Sequence, residues 1–286
     1  MKKVGFVGVG VMGHGMVRNL MAHGFEVTIY TRTKEKAADL LGEGVRWADS
    51  PAACAGASEA VITMVGYPKD VEDVYFGASG ILDAMAPGGY VIDMTTTSPQ
   101  LSKRIADRAR EQGLHALDAP VSGGDTGAKN GTLAIMVGGE RADFEACLPL
   151  FEAMGSNIRY EGPAGFGQHT KMANQIALAG VMAGLAEALA YAQTHGLDLQ
   201  TLLDTISTGA AGSWQMSNTA PRILAQDFAP GFFVKHFIKD LSIAEEESRA
   251  VQTDLPVTNQ VLTMYQTLAD RGMGDLGTQA LIRYFE

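Results

Sequence analysis

The chain begins with the stretch VGFVGVGVMG at residues 4–13, in which an apolar run leads directly into the pattern Gly-x-Gly-x-x-Gly. A strand, this pattern and a following helix are together typical of a turn that binds the pyrophosphate of a dinucleotide. The first glycine permits the tight turn, the second lets phosphate approach the backbone, and the third lets the helix pack against the strand. Because the anion would lie on the free amides at the helix start, the predicted cofactor contacts are Gly8, Gly10, Val11, Met12 and Gly13.

The end of the second predicted strand indicates which dinucleotide is bound. An NAD site usually carries Asp or Glu there for the ribose hydroxyls, and neither occurs at residues 31–34. These positions instead hold two hydroxyls, a guanidinium and an ammonium, which suit a 2′-phosphate. Thr31, Arg32 and Thr33 are therefore predicted cofactor contacts, with NADP preferred and NAD possible. The alternative is that Arg32 and Lys34 are solvated charges at the start of a helix.

The order of the predicted elements divides the chain into two domains. Predicted strands lie at 4–9, 27–30, 60–64, 90–94, 114–116 and 133–137, with helical stretches between them that include 12–23, 34–41 and 99–112. This alternation predicts an α/β domain of the Rossmann type, with a mostly parallel sheet, over residues 1–163. After Pro163 only helical stretches follow, at 167–195, 198–208, 236–252 and 256–270, which predicts an all-α domain over residues 164–286.

Composition limits the classes of partner. The 286 residues include 22 Lys and Arg against 32 Asp and Glu, so the net charge is −10. This balance argues against nucleic acid and against an anionic membrane surface as partners. The apolar stretch 176–192 is shorter than the roughly 20 residues that a membrane span needs, and it is expected to form a buried helix of a soluble, cytoplasmic protein. Gly180 and Gly184 within it predict a second helix packed closely, from this chain or from a partner subunit.

The cysteines and histidines indicate neither a disulfide framework nor a metal site. Cys54 and Cys147 are the two cysteines, and both are predicted to be buried thiols in a reducing compartment. The six histidines are scattered without the spacing of metal ligands. No metal site is therefore predicted.

Several segments of the chain resemble one known family, in the same order. They are GVGVMGHGMVRNL at 8–20, DAPVSGG at 118–124, GTLAIMVGG at 131–139, GQHTKMANQ at 167–175 and KDL at 239–241. Together they resemble the signature segments of the β-hydroxyacid dehydrogenases, the family of 3-hydroxyisobutyrate dehydrogenase and tartronate semialdehyde reductase. The departures are Val9, where Leu is usual, and Val17, where a small residue is usual. The resemblance implies reversible oxidation of a small carboxylate-bearing β-hydroxyacid to its semialdehyde with NADP or NAD, by a homodimer or homotetramer.

The resemblance also implies roles for the polar residues of these segments. It makes Lys171 the general acid/base, whose ammonium would stabilise and protonate the oxygen as hydride reaches the carbonyl carbon. It places the substrate carboxylate on Ser122 and the two glycines after it, which on their own would be a glycine turn with a capping serine. Asn174 and Gln175 lie one helical turn beyond the lysine and would share its face; many family members have Asn in place of Gln175. The predicted catalytic residues are Lys171, Ser122 and Asn174, and the predicted substrate-binding residues are Ser122, Gly123, Gly124, Asn174, Gln175 and Trp214.

Further cofactor contacts are expected at the ends of two strands, because ligands of open α/β sheets gather outside the carboxyl ends. These contacts are Met64, Val65 and Thr96, and the resemblance adds Lys239, which on composition alone would be part of a solvated pair with Asp240. Trp214 is predicted to line the substrate pocket, with a place in the core or at an interface as the alternative.

Four other functions stay open at this stage. The first is a reductase of tartronate semialdehyde, succinic semialdehyde or glyoxylate, which differ from methylmalonate semialdehyde by a methyl, a hydroxyl or chain length. The second is an imine reductase, which generally has another residue where Lys171 stands. The third is a catalytically inactive NADP-binding protein, and the presence of Ser122, Lys171 and Asn174 together counts against it. The last is a decarboxylating enzyme of the 6-phosphogluconate type, for which the helical domain looks short.

Overall fold

The computed structural model describes residues 1–286 and divides into two units, Met1–Lys171 and Met172–Glu286. The first unit is built on a nine-stranded sheet. Its strands are β1 (Lys3–Val7), β2 (Glu26–Tyr30), β3 (Arg46–Trp47), β4 (Ala60–Thr63), β5 (Tyr90–Asp93), β6 (His115–Asp118), β7 (Val121–Ser122), β8 (Leu133–Gly139) and β9 (Gly155–Gly162).

The strand order is β3-β2-β1-β4-β5-β6-β8-β7, with β9 paired to β8. Strands β1 to β6 pair in parallel, β8 pairs antiparallel with β6 and β7, and β9 runs parallel to β8. The predicted Rossmann-type domain with a mostly parallel sheet is therefore confirmed. The order reverses between β1 and β4, and the crevice outside the carboxyl ends at such a reversal is where ligands bind in this class of fold.

Helices connect the strands and make up nearly all of the second unit. They are α1 (Val11–Ala22), α2 (Ala38–Gly42), α3 (Pro51–Gly56), α4 (Pro68–Phe76), α5 (Pro99–Glu111), α6 (Gly124–Asn130), α7 (Arg141–Met154), α8 (Phe166–Thr194), α9 (Leu199–Ile206), α10 (Trp214–Asn218), α11 (Ala220–Leu224), α12 (Val234–Ala250) and α13 (Pro256–Leu268). Short 3-10 segments lie at Lys34–Ala37 and Thr278–Tyr284, and a π-helical turn lies at Ala269–Met273. Two local signals hold: Ser98 caps α5 by accepting the Leu101 N–H at 3.2 Å, and Pro99 is the first helical residue.

The central strands are buried on both faces, which explains their continuous apolar sequences. Phe6 of β1 belongs to the cluster that includes Ile62 and Ile92, whereas its neighbour Val7 belongs to a separate cluster with Val61. Successive residues of a strand point to opposite faces. Each face of the sheet therefore has its own core, and the two cores hold the strand ends in fixed register.

The second unit is helical, as predicted, apart from one isolated bridge between Phe233 and Gly277. Its core includes Leu185, Phe237 and Tyr265. The unit division falls inside α8 because the first residues of that helix contact strands of the first unit. The predicted boundary after residue 163 precedes this division by eight residues. These are the two loop residues 164 and 165 and the first six residues of α8.

Several elements differ from the sequence expectation. Strands β3, β7 and β9 were not predicted, because β3 and β7 have two residues each and β9, GSNIRYEG, is polar and only partly buried. The helical stretch predicted over 34–41 is present, and it begins as a 3-10 segment that precedes the short α2.

The prediction that α8 is a buried helix is wrong for one of its faces. Val181, Gly184 and Tyr191 are exposed, and no heavy atom of this chain outside the helix's own backbone lies within 4 Å of a Cβ placed on Gly180 or Gly184. Of the two predicted packing partners, a second helix of this chain is therefore wrong, and a helix of a partner subunit stays a prediction. By length and composition alone α8 could cross a membrane, with a mean hydropathy of 1.4 over its most apolar part, of which 39% is buried. A single such helix is weak support for a membrane span, since core helices of soluble proteins share these properties.

Candidate active site

The turn after β1 has the geometry that its glycines predict. Gly8 has φ +103°, a conformation that L side chains rarely adopt, and its N–H donates to the carbonyl of Tyr30 at 2.9 Å. A Cβ on Gly8 would collide with the backbone carbonyl of Met64, and a Cβ on Gly13 would collide with the carbonyl of Gly8. Both glycines are therefore required by close backbone packing between the turn, α1 and the end of β4.

Gly10 serves a different purpose from the other two glycines of the turn. A Cβ placed on it meets no heavy atom within 4 Å. Gly10 precedes α1 without a side-chain cap, so the amides at the start of the helix, from Val11 and Met12 onward, are oriented toward open space. Packing within the chain therefore does not require glycine at position 10. The open space beside this residue, next to the helix start, fits the approach of a pyrophosphate group.

The structure pairs the cation after β2 with an acidic residue that the sequence analysis missed. Arg32 Nη1 donates to Asp70 Oδ1 at 3.0 Å, and the Asp70 side chain is 18% exposed whereas that of Arg32 is 79% exposed. Asp70 also accepts the N–H of Tyr67 at 3.1 Å at the start of α4. The ammonium of Lys34 lies 4.9 Å from the ring centroid of Trp47. Both cations therefore have partners in this chain. The Arg32–Asp70 pair joins residues 38 apart in sequence, so no local sequence pattern indicates it.

The segments after β4 and β5 are joined by buried hydrogen bonds. Thr95 Oγ1 accepts the N–H of Val65 at 3.0 Å, and Asp93 Oδ1 accepts the N–H of Thr95 at 3.0 Å and the hydroxyl of Thr63 at 2.7 Å. Burial raises the pKa of Asp93 to about 6. Thr95 is buried and Thr96 is partly exposed. The predicted contacts Met64, Val65 and Thr96 thus lie at one edge of the sheet, next to the Gly8 turn.

Lys171 lies near the start of α8 and its side chain is drawn into the first unit. The residue is 7% exposed, and Nζ donates to the carbonyl oxygen of Val121 at 2.8 Å. Ser122 follows directly, and Gly123 and Gly124 have φ of +133° and +63°. The structure therefore brings the predicted acid/base and the predicted carboxylate-binding turn together, in a backbone conformation that favours glycine at both positions.

Two buried residues that were not predicted as site residues make hydrogen bonds at the start of the helix that carries Lys171. They are Asp118, the last residue of β6, and Gln168. Asp118 is the first residue of the segment DAPVSGG, which resembles the family, and this position is the sequence feature that indicates a functional role. Gln168 likewise lies in the segment 167–175 that resembles the family, three residues before Lys171.

In the second unit a chain of hydrogen bonds joins α8 to α12. Asn174 Nδ2 donates to Gln175 Oε1 at 2.7 Å, and Gln175 Nε2 donates to Asp240 Oδ2 at 2.6 Å. Lys239 Nζ lies 2.9 Å from Asp240 Oδ1, and the Lys239 and Asp240 side chains are 12% and 2% exposed. The composition-based alternative of a solvated Lys239–Asp240 pair is therefore wrong. The buried carboxylate of Asp240 thus binds two predicted site residues, Gln175 and Lys239, and its residue type alone did not indicate these contacts.

Trp214 is 68% exposed in this chain. Its alternative assignment to the core of the chain is therefore wrong, while a place at a substrate pocket or an interface stays a prediction. Cys54 and Cys147 are free and buried, as expected.

Comparison with known proteins agrees with this geometry. Residues 3–162 match the family model of the NAD binding domain of 6-phosphogluconate dehydrogenase, and residues 165–285 match the model described as NAD-binding of NADP-dependent 3-hydroxyisobutyrate dehydrogenase. A probable mitochondrial 3-hydroxyisobutyrate dehydrogenase-like protein of Arabidopsis thaliana is 45% identical, over 99% of this chain and 85% of that protein. The chain belongs to the 3-hydroxyisobutyrate dehydrogenase family.

Other members of the 3-hydroxyisobutyrate dehydrogenase family and their relatives cover the chain nearly end to end. An uncharacterised oxidoreductase of Bacillus subtilis is 54% identical over 99% of this chain and 98% of that protein. The 2-hydroxy-3-oxopropionate reductase of Escherichia coli is 37% identical over 99% and 97%. The crystal structure of 3-hydroxyisobutyrate dehydrogenase from Salmonella typhimurium superposes with a TM-score of 0.90 at 31% identity, covering 99% of both chains. The family resemblance of the sequence segments is confirmed, and the chain is an oxidoreductase with NAD(P)-binding domains.

Proposed function

We propose that this protein reversibly oxidises a small β-hydroxyacid to its semialdehyde, in the manner of 3-hydroxyisobutyrate dehydrogenase, and that it prefers NADP. The observation that carries this proposal is the buried Lys171, whose Nζ is 2.8 Å from the Val121 carbonyl, directly before Ser122, Gly123 and Gly124. An ammonium bonded to the backbone directly before a serine and a glycine turn suits a substrate that carries both a carboxylate and a carbonyl.

The first unit has the residues to hold the dinucleotide. Gly8 and Gly13 make the turn, Gly10 leaves the space next to the first amides of α1, and the segments at Met64 and Thr96 border the same sheet edge. A bound nicotinamide would supply or accept the hydride at the reacting carbon.

Lys171 carries the proton chemistry in this proposal. In the reduction of the semialdehyde, negative charge develops on the carbonyl oxygen, and the Lys171 ammonium stabilises that charge and donates a proton to it. In the oxidation direction the neutral amine accepts the proton of the hydroxyl. The hydrogen bond to Val121 holds Nζ in one orientation, which lowers the reorganisation needed when the charge appears. Ser122 and the amides of the glycine turn orient the carboxylate.

The preference for NADP rests on the residues at 31–34, which include Arg32 and Lys34 and no acidic side chain. A structural relative at 26% identity, with a TM-score of 0.92 over 99% of this chain, is described as Psf3 in complex with NADP+ and 2-OPP. Because Asp70 already binds Arg32, the 2′-phosphate would compete with a carboxylate for the guanidinium, and the preference would be moderate.

A second candidate substrate is 2-hydroxy-3-oxopropionate, which is tartronate semialdehyde. The similarity to the Escherichia coli reductase of that compound favours it. The two candidates differ by a methyl group against a hydroxyl, a difference that an apolar pocket discriminates by only about 1–3 kcal/mol. Direct comparison of substrates therefore decides between them.

The proposal includes a homodimer or homotetramer. It is supported by the exposed face of α8, on which Val181, Gly184 and Tyr191 are open to solvent in the single chain. Gly184 on this face would let a helix of a second copy approach closely. Light scattering during size-exclusion chromatography measures the mass of the particle in solution, and a monomer at micromolar concentration would contradict this part of the proposal.

The test of the activity follows NADPH and NADH oxidation with four aldehydes: methylmalonate semialdehyde, tartronate semialdehyde, succinic semialdehyde and glyoxylate. Lys171→Met removes the ammonium while keeping most of the side-chain volume, and Lys69→Met, at an exposed lysine, is the matched control. We expect Lys171→Met to lower kcat by about 10²–10⁴-fold with NADPH binding retained, and Lys69→Met to match the wild type.

Each other result selects one alternative. Faster oxidation of NADH contradicts only the preference for NADP. If NADPH binds and no aldehyde is reduced, the dehydrogenase proposal fails, and cyclic imines then separate an imine reductase from an inactive binding protein.

A further inference from the structure

The amino end of α8 is bound by a buried carboxylate. Asp118 Oδ1 accepts the N–H of Gly165 at 2.7 Å, and Asp118 Oδ2 accepts the N–H of Gln168 at 2.8 Å. These N–H groups belong to the helix start, where no carbonyl of the helix is available to them. The carboxylate also lies at the positive end of the helix dipole. Burial raises the pKa of Asp118, and the backbone N–H donors around it oppose that shift.

Two glycines allow this contact by bringing β8 and α8 close to Asp118. A Cβ on Gly138 of β8 would lie 2.6 Å from Asp118 Oδ1, and a Cβ on Gly167 would lie 2.9 Å from Asp118 Oδ2. Real Cβ atoms essentially never approach other heavy atoms below 3.0 Å. The carboxylate is thus enclosed by backbone on two sides, and the helix start has little freedom to shift relative to β6 and β8.

Gln168 connects the same helix start to the segment after β5. Its Oε1 accepts the N–H of Thr97 at 3.1 Å, and its Nε2 donates to the carbonyl of Thr95 at 2.8 Å. Thr95 in turn accepts the N–H of Val65 through its hydroxyl. The fully buried carboxamide therefore ties α8 to the two segments that border the proposed cofactor site.

The contacts of Asp118 and Gln168 and the contact of Lys171 all involve the same two short segments of the chain. Lys171 is three residues after Gln168, and its Nζ bonds to Val121, three residues after Asp118. The segment 118–121 is therefore bonded to the segment 165–171 at both ends. Burying a carboxylate and a carboxamide is unfavourable unless their hydrogen bonds are satisfied, and here they are satisfied only when α8 begins at this position and in this rotation.

We infer that Asp118 and Gln168 are positioning residues that fix Lys171 Nζ relative to the Ser122 turn and to the segments after β4 and β5. This inference rests on the proposed function, in which Lys171 is the acid/base. Neither side chain needs to touch the substrate. Asp118 sets the position of the helix start against β6, and Gln168 sets it against Thr95 and Thr97.

The test compares two variants with a matched control. Asp118→Asn keeps the shape of the side chain but places an NH₂ group against a backbone N–H, and Gln168→Met keeps the length but removes both hydrogen bonds. Asp143→Asn is the control, because Asp143 is also a largely buried carboxylate of the first unit, paired with His115 at 2.7 Å and remote in sequence from α8. If Asp118→Asn does not fold, Gln168→Met tests the inference alone.

The first readout is steady-state kinetics on the best aldehyde. We expect both variants to lower kcat per folded site by at least about 10-fold, since small misplacement of a catalytic group can cost about 100-fold. The KM for the aldehyde should change by less than about 3-fold, because the lost interaction acts in the transition state. Asp143→Asn should leave kcat unchanged even if it lowers Tm by a similar amount.

The second readout is independent of activity and uses the rate at which acetic anhydride modifies Lys171, measured by peptide mass spectrometry against the exposed Lys69. Loosening of the helix start should raise the relative rate for Lys171 by at least about 3-fold in both variants, as expected for local opening. Asp143→Asn should leave that rate unchanged. If the wild type reduces no aldehyde, the proposed function fails, and this readout decides on the positioning of Lys171 alone.

The double variant Asp118→Asn/Lys171→Met distinguishes a positioning role of Asp118 from a general structural role. If Asp118 acts through the lysine, Asp118→Asn has no further effect on the residual kcat of Lys171→Met. Wild-type kcat and a wild-type labelling rate in Asp118→Asn and Gln168→Met would overturn the inference. The same loss of kcat with and without the lysine would also overturn it.

Discussion

Replacing Gly10 and Gly13 with alanine, one at a time, separates the two roles of the turn after β1. A methyl group on Gly13 would collide with the Gly8 carbonyl and lie 3.1 Å from Phe6 Cε1. A backbone carbonyl cannot yield without moving the turn, so we expect Gly13→Ala to lower the free energy of unfolding by about 2 kcal/mol, within the usual range for overpacking. A methyl group on Gly10 meets nothing within 4 Å, and its φ of −102° is open to alanine. Gly10→Ala should therefore change stability by less than about 0.5 kcal/mol.

Cofactor binding should respond in the opposite order. The methyl group of Gly10→Ala would occupy the space beside the first amides of α1, so we expect the Kd for NADPH to rise by at least about 10-fold, or about 1.4 kcal/mol. Urea unfolding measures the stability, and quenching of protein fluorescence by NADPH measures the affinity. Gly42→Ala, at another position with nothing within 4 Å, should leave the affinity unchanged. Tight NADPH binding by Gly10→Ala would refute the assignment of the pyrophosphate to this turn, and an undiminished stability of Gly13→Ala would refute the packing argument.

Three further predictions concern charge. The pKa of Asp93 is raised from 3.8 to about 6 by burial, so ionisation of this group opposes folding. Between pH 4 and pH 7 the free energy of unfolding of the wild type should fall relative to Asp93→Asn by about 2 kcal/mol. A difference between the two proteins that does not vary with pH in denaturant titrations would contradict this. Because Asp70 holds Arg32, Arg32→Ala should weaken NADPH by about 10-fold with little effect on NADH, and Asp70→Asn should strengthen NADPH relative to NADH; equal effects on both cofactors in binding titrations would argue against a 2′-phosphate at Arg32. Burial raises the pKa of the Cys54 and Cys147 thiols to about 12, so a thiol reagent should label the native protein at pH 8 far more slowly than the urea-unfolded protein, and fast labelling of the native protein would show that these thiols are accessible.

The sequence predicts the sheet well where the strands are apolar on both faces. The core strands of the first unit, such as β1 and β4, are runs that alternate between two buried clusters, so hydrophobicity alone marks them. Strand β9 escapes this test because its polar residues lie at an exposed edge. Its pairing with β8 depends on tertiary contacts that no local pattern encodes.

The site is predicted in the same uneven way. Lys171 and Ser122 lie in segments with a family resemblance, and the structure brings them to the same place. Asp70, Asp240 and Gln168 act through partners that are 38, 65 and 73 residues away in sequence. An acidic or amide side chain reads as a surface residue until the fold shows that it is buried and what it binds.

The long helix α8 is shared by the two units, with Lys171 as the last residue of the first. The point at which the chain changes from strands to helices, near residue 163, is therefore not a point at which it can be divided. A chain cut there would leave the Asp118 carboxylate buried without the amides of Gly165 and Gln168. In any recombination that exchanges helical domains between relatives, residues 164–171 must be inherited together with the sheet. Crossovers beyond residue 171 keep Asp118 and the helix start that it binds from the same parent, whereas crossovers at residue 163 take them from different parents.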